Sequence, residues 1–177
     1  LLKPETPRPT GFRALNKLAR KAGFHLEMWM TQLPEGQEQM QRRLEAAWAQ
    51  RAGGVPLKTI DEALILASIV EKETGLEADR TKVASVFVNR LRIGMPLQTD
   101  PTVIYGLGAA FDGNLRKKDL LADTPYNTYT RKGLPPTPIA LPGAASIKAA
   151  VQPAQGKALY FVARGDGRHE FSATLKE

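Results

Sequence analysis

The chain has 177 residues, of which 42% are hydrophobic and 24% are charged, as is typical of a soluble globular protein. It contains no cysteine and only two histidines, which excludes disulfides, thiolate chemistry and cysteine-ligated zinc, and argues against a histidine-based metal site or catalytic triad. The net charge of +7 predicts an anionic neighbour, which could be nucleic acid, a membrane surface or an acidic cell-wall polymer.

The basic residues are scattered along the chain in short pairs, such as Arg42-Arg43 and Lys117-Lys118. No stacking motif of the RNA-binding kind accompanies them, so we interpret most of them as a solvated surface and expect no nucleic-acid partner. The longest uninterrupted apolar stretch, 63–70, is far too short for a transmembrane helix. Because the chain begins at Leu1 without a methionine, we expect it to be a piece of a longer protein.

Residues 1–40 form an N-terminal segment whose fold we leave unassigned. Three prolines within the first ten residues predict an extended lead-in. The spacing of Phe12, Leu15 and Leu18 predicts a short helix that stops at Gly23. The remainder, 41–177, is long enough to form one domain with its own core.

Three longer helices are predicted next, at about 35–52, 60–74 and 77–93. The first is amphipathic. The second is the most apolar helix of the chain and begins with the capping-box pattern of Thr59 and Glu62. The third has a broad apolar face and ends before a glycine.

Residues 95–142 are rich in Pro, Gly, Thr, Asn and Tyr, and they offer only short elements near 102–105 and 117–121. A loop region of this length in a compact domain is usually functional or disordered, and its aromatic content argues against disorder. A helix at 144–151 and a β-hairpin at 159–174 follow. Helices first and strands late indicate an α+β fold, with a helical N-terminal half, a long polar active-site loop region, and a C-terminal helix and β-hairpin.

The second predicted helix ends in two carboxylates, Glu71 and Glu73. Glu71 continues the apolar stripe of this helix, whereas Glu73 lies roughly 200° away around the helix axis, so at most one of them acts on a given substrate. A carboxyl group against an apolar wall has a raised pKa and can serve as a general acid. We therefore predict Glu71 as the acid, and the alternative is a solvated helix end without chemistry.

Polar side chains suited to a carbohydrate groove are concentrated in the segments that follow. The candidates are Asn89, Gln98, Thr99, Asp100, Tyr105, Tyr126, Asn127, Thr128 and Tyr129. Amides, hydroxyls and phenols would bind sugar hydroxyls, and the aromatic faces would contact the rings. Alternatively, such residues form turns in which the side chains satisfy their own backbone.

The order of several motifs resembles that of the endolytic murein transglycosylase family, also called YceG-like. The motifs lie at 67–73, 82–91, 97–106, 126–129, 133–136 and 159–163. The resemblance implies a cell-wall enzyme that cuts nascent glycan strands internally, between N-acetylmuramic acid and N-acetylglucosamine, and leaves 1,6-anhydromuramoyl ends. Glu71 matches the family's catalytic glutamate, and neither a cofactor nor a metal is implied.

The resemblance also implies partners and a location. The substrate would be peptidoglycan glycan strands, with peptidoglycan synthases as partners, at the extracytoplasmic (periplasmic) face of the bacterial inner membrane. Members of the family carry a membrane anchor and a small LysM-like domain ahead of the catalytic region. Neither is recognisable here, so we expect membrane association through a segment absent from this chain.

One carboxyl group is sufficient for this reaction, because the attacking hydroxyl belongs to the substrate itself. Three alternatives stay open at this point: a hydrolase that uses Asp100 as a second carboxylate, a non-catalytic glycan-binding or scaffold domain of a cell-wall synthesis complex, and a basic nucleic-acid binder whose affinity would depend steeply on salt.

Overall fold

A computed structural model of the chain describes residues 34–166 and 168–176. By its internal contacts the chain divides after Met40, and residues 41–177 form one unit. The predicted lead-in and the predicted helix ending at Gly23 lie outside the described residues. The assignment of 1–40 and 41–177 to different domains stays a prediction.

The described residues form six α-helices, one 3-10 turn and one two-stranded antiparallel sheet. The elements are α1 (Pro34–Ala49), α2 (Ile60–Glu73), α3 (Glu77–Arg92), α4 (Asp100–Leu107), the 3-10 turn (Gly108–Ala110), α5 (Lys117–Leu121), α6 (Ala144–Val151), β1 (Tyr160–Ala163) and β2 (His169–Ser172). The predicted α+β class is confirmed. The polar region is more helical than predicted, because Pro101 occupies the first turn of α4, where a proline costs no helix hydrogen bond.

Helix α2 forms the centre of the core, and all but one of the side chains from Ala63 to Val70 are buried. Its start follows half of the predicted capping box. The Thr59 hydroxyl accepts a hydrogen bond from the Glu62 N–H at 3.2 Å, but the Glu62 carboxylate accepts from the Lys58 N–H instead of the Thr59 N–H.

Helices α3 and α6 pack against α2 and complete the core. The largest side chains in this core, including Phe87, Leu66 and Ile147, are almost fully buried. The hairpin docks on α3, since the Phe161 ring meets the edge of Phe87 at a centroid distance of 5.7 Å. The buried Asp79 carboxylate accepts the His169 backbone N–H at 2.8 Å and fixes the second strand on the same helix.

A buried hydroxyl ties α2 to the loop that precedes α6. Ser68 is fully buried; its Oγ donates to the Ile65 carbonyl at 2.7 Å and accepts from the Ile139 N–H at 2.9 Å. Because Ile139 is itself buried, its N–H has no access to water if this acceptor is removed. Ser68 thus holds the last part of the polar region against the core.

Replacing Ser68 by alanine should lower the free energy of unfolding by about 1–3 kcal/mol, since it leaves a buried N–H without an acceptor. Urea unfolding measures this change. Ser172→Ala, at a site where the hydroxyl binds only a nearby exposed carbonyl, should change stability by less than about 0.5 kcal/mol. Equal effects of the two substitutions would contradict the bridging role of Ser68.

Candidate active site

The C-terminal end of α2 meets the loop before α4 through one hydrogen bond between side chains. The Thr99 hydroxyl bonds the Glu73 carboxylate. Thr99 is almost fully buried, so this contact is enclosed by the protein on the Thr99 side. The predicted polar segment therefore converges on Glu73.

Segment 126–129 clamps the same loop from the other side. The Gln98 N–H donates to the Thr128 carbonyl at 3.0 Å, and the Thr99 N–H donates to the Thr128 hydroxyl at 3.1 Å. The Thr128 hydroxyl also bonds Thr102 Oγ1 at 2.9 Å. Two motifs that lie about thirty residues apart in the sequence are thus joined at backbone level.

The electrostatic environment of Glu73 favours its protonated form. Burial raises the pKa of this carboxyl above its ordinary value of 4.5, and the charge of Asp100 acts in the same direction. The hydrogen bond from Thr99 and the charges of His169 and Arg90 act against it without cancelling the effect. A carboxyl group with a raised pKa beside hydrogen-bond donors can give up a proton and then hold the resulting charge.

Arg90 supplies a fixed positive charge near Glu73, and sequence reasoning did not select it. It is 7% exposed, and its guanidinium donates at 2.7 Å to each of two backbone carbonyls, those of Leu159 and Leu97. Burial lowers the pKa of Arg90, but an arginine keeps its charge in proteins. Arg90 lies among the buried residues of α3. An arginine on an apolar helix face needs specific hydrogen-bond partners, so its place in the apolar pattern of this helix could have marked it as a residue of the site.

Tyr129 and Asp100 form a second polar pair beside Glu73. The Tyr129 hydroxyl donates to the Asp100 carboxylate at 2.6 Å. Burial and this hydrogen bond raise the pKa of the phenol far above its usual range, so it remains a donor. The Asp100 side chain is exposed and keeps free acceptor capacity towards solvent.

Glu71 contacts a different part of the protein from Glu73. Its carboxylate accepts the Gly143 N–H at 3.0 Å, at the N-cap of α6. A carboxylate at a helix N-terminus stabilises that helix through the orphan N–H groups and the helix dipole. The two glutamates do face different sides, as expected. However, the polar partners expected for Glu71 gather around Glu73, and the prediction of Glu71 as the acid stays a prediction.

Two of the predicted sugar-binding amides have internal roles instead. Asn127 is fully buried, donates to the carbonyls of three residues near α5, and accepts the Tyr129 N–H at 2.9 Å. Asn89 is 9% exposed, donates to the carbonyls of Gly156 and Ala158, and accepts from Arg92. Thr128 is likewise buried, at 2% exposure, and its hydroxyl bonds Thr99 and Thr102 inside the protein. The polar atoms of these three residues already bond inside the protein, and their direct contact with a sugar stays a prediction.

The remaining candidates are accessible. Gln98 and Tyr105 are exposed, and Tyr126 and Tyr129 are half-buried. The Tyr105 and Tyr126 rings lie at a centroid distance of 4.9 Å, and the Tyr126 hydroxyl bonds Thr137 at 2.7 Å. Tyr105 lies on α4, the helix that begins with Asp100 of the polar cluster formed by Glu73, Thr99, Asp100 and Tyr129.

Within residues 34–166 and 168–176, no three or more His, Asp or Glu side chains lie together as a possible metal site. In that same part of the chain, no helix has both the length and the apolar character needed to cross a bilayer.

The raised pKa of Glu73 predicts that its native environment destabilises the protein at neutral pH. Below the unfolded pKa both states carry the proton, and there is no cost. As the pH rises from the unfolded pKa to the folded pKa, the unfolded state releases its proton while the native state keeps it, so the protein loses stability at up to about 1.4 kcal/mol per pH unit, and above the folded pKa the loss is constant. Glu73→Gln should therefore become more stable than the wild type as the pH is raised from 4 to 8.

Urea unfolding at several pH values measures this difference in stability. Glu45→Gln is the control for replacing a glutamate by glutamine, because Glu45 is exposed on a helix and also accepts one side-chain hydrogen bond. A Glu73→Gln difference that does not vary with pH, or that grows as the pH falls, would contradict the raised pKa.

Comparison with known proteins identifies the family of the chain. The model of the YceG-like family matches residues 28–177. The chain is 50% identical over 119 residues to the endolytic murein transglycosylase of Bacillus subtilis (strain 168), covering 67% of this chain and 33% of that protein. It is 38% identical over 109 residues to the endolytic murein transglycosylase of Streptococcus pneumoniae serotype 2, covering 59% of this chain and 20% of that protein.

A crystal structure of a yceG-like protein from Listeria monocytogenes aligns with a TM-score of 0.60 and 46% identity, covering 66% of this chain and 37% of the other. The chain spans about a third of the Bacillus relative and about a fifth of the pneumococcal one. Because the family model matches most of its length, the chain belongs to the YceG-like family.

Proposed function

We propose that this chain carries the catalytic site of an endolytic lytic transglycosylase that cleaves peptidoglycan glycan strands, with Glu73 as its general acid. The single observation that carries the proposal is the environment of Glu73, an enclosed carboxyl with a raised pKa that is bonded to Thr99. The names of two relatives, endolytic murein transglycosylases, support the reaction class.

The reaction proceeds in two proton transfers through one residue. Protonated Glu73 donates to the glycosidic oxygen between N-acetylmuramic acid and N-acetylglucosamine, and the bond to C1 of the muramic acid breaks. The resulting carboxylate then takes the proton of the C6 hydroxyl of the same muramic acid while that oxygen attacks C1, which closes the 1,6-anhydro ring. Acid and base are thus the same group, and it ends the cycle protonated.

The neighbours of Glu73 suit both steps. Burial raises the pKa of the Glu73 carboxyl and so favours its protonated form before cleavage. After cleavage, the Thr99 hydroxyl donates to the carboxylate, and the buried charge of Arg90 stabilises it without a direct ion pair. Asp100, oriented by Tyr129, adds a negative charge that stabilises the oxocarbenium-like transition state.

In this proposal Glu71 has a structural task. Its carboxylate binds the N-cap of α6 and thereby fixes the last turn of α2, which carries Glu73. Thr99, Thr128, Asn89 and Asn127 hold the loops in place, while Gln98, Asp100, Tyr105, Tyr126 and Tyr129 face the glycan. This replaces the acid predicted from the sequence with its neighbour two residues along.

The cellular setting belongs to the same proposal. Nascent glycan strands are made outside the cytoplasmic membrane, so the site would act at the extracytoplasmic face of the inner membrane, beside peptidoglycan synthases.

Glu73→Gln should lower the rate of strand cleavage by about 10²–10⁴-fold, because the amide keeps the shape and the Thr99 contact but has no acidic proton. Glu71→Gln should keep most of the activity, because an amide oxygen still accepts the Gly143 N–H. Mass spectrometry of purified peptidoglycan treated with each variant measures both the amount of product and the chemistry of its ends.

Three outcomes of that experiment would contradict the proposal. An active Glu73→Gln with an inactive Glu71→Gln would return the acid to Glu71. Reducing ends in place of anhydro ends would indicate a hydrolase that uses Asp100 as its second carboxylate. Cleavage by neither the wild type nor any variant, with glycan binding retained, would favour a non-catalytic scaffold.

The rate of cleavage should fall as the pH rises through the pKa of Glu73, because only the protonated form can begin the reaction. That pKa lies above 4.5, so activity should persist in mildly acidic buffer, and EDTA should not change it. A pH–rate profile with and without EDTA measures both. Loss of activity in EDTA with recovery on adding zinc would contradict a mechanism based on one acid.

A further inference from the structure

Gln98 has a strained backbone at the centre of the site. Its φ is +50°, in the left-handed region, and it is the only residue other than glycine with positive φ in the part of the chain that the structure describes. The other positive-φ positions in that part are Gly54, Gly94, Gly108, Gly113, Gly133 and Gly165. A side chain with Cβ costs free energy at such a position, where glycine does not.

The surrounding contacts hold this conformation from both sides. Leu97 is fully buried, and its carbonyl accepts from Arg90 at 2.7 Å. The N–H groups of Gln98 and Thr99 both donate to Thr128, and the Thr99 hydroxyl bonds Glu73. Strained residues persist where their neighbours over-determine them, and such residues cluster at functional sites.

The Gln98 side chain takes no part in the hydrogen bonds that hold its backbone. It is exposed, and within residues 34–166 and 168–176 its amide makes no hydrogen bond to the protein. Glycine would serve the backbone better, so the fold alone does not account for a glutamine here. The hydrogen bonds to Thr128 instead hold the Gln98 carboxamide immediately before Thr99, the residue that bonds Glu73.

We propose that Gln98 is a specificity-determining residue that recognises the acetamido group of the amino sugar bound next to Glu73; this inference rests on the proposed function. A carboxamide offers an acceptor and two donors in one plane, which matches the N–H and C=O of an acetamido group. The left-handed turn fixes the direction in which this amide leaves the backbone.

The test compares two ligands and two measurements. Glycan strands are prepared with intact acetamido groups and with these groups removed, and binding is measured in the Glu73→Gln background so that strands are not consumed. Thermal unfolding of the single variants reports the backbone strain. Gln98→Gly removes the amide and the strain together, and Gln98→Asn keeps an amide on a residue that tolerates positive φ but shortens its reach.

The wild-type residue should favour acetylated strands by about tenfold, as expected for a pair of hydrogen bonds, and Gln98→Gly should lose this preference while its melting temperature is unchanged or higher. Gln98→Asn should also lose most of the preference without loss of stability. Gln155→Gly, at an exposed loop glutamine that lacks positive φ, should keep the preference and melt at a slightly lower temperature.

An unchanged preference in Gln98→Gly, or no preference with glutamine present, would overturn the inference while leaving Glu73 as the acid. A lower melting temperature for Gln98→Gly would overturn the strain argument and assign the glutamine to the fold. Failure of the proposed function is seen separately, in the cleavage activity of Glu73→Gln.

Discussion

The hydrogen bond between Glu73 and Thr99 is the contact on which the rest of the site depends. It joins the last turn of α2 to a loop whose backbone N–H groups donate to Thr128, so the core helix and this loop together fix the position of Glu73. Helix α6 fixes the same end of α2 through Glu71 and the Gly143 N–H. The two glutamates therefore have different contacts, since Glu71 binds the N-cap of α6 and Glu73 bonds Thr99.

The site places groups in environments that disfavour the folded state. Enclosure of Glu73 disfavours its charged form, and the positive φ of Gln98 is strained for a residue with Cβ. Asn127 and Arg90 are buried nearby, and both donate to several backbone carbonyls, which stabilises the loops around the site. Strained residues that are held by hydrogen-bonded neighbours are expected in a catalytic site built from loops.

Local patterns predicted most of the fold and part of the site. The caps and glycines around α2, α3 and the hairpin gave their positions within a few residues, because these signals act over short distances. Helical geometry correctly placed Glu71 and Glu73 on different faces. It could not show which face meets the Thr99 loop, since that depends on contacts across 26 residues of sequence. For the same reason Asn127 and Asn89 looked like ligands for a sugar, although the fold uses their amides to tie its own loops together.

Burial of Glu73 at the end of α2 raises the pKa of its carboxyl and so favours the protonated form. The most direct test is an NMR titration of the chain with ¹³C-labelled glutamate side chains, with Glu73→Gln used to assign the resonance. We expect Glu73 to titrate above 4.5, and Thr99→Val to raise its pKa further, because the Thr99 hydrogen bond favours the carboxylate. A Glu73 pKa at or below 4.5 would show that the fold does not favour the protonated carboxyl.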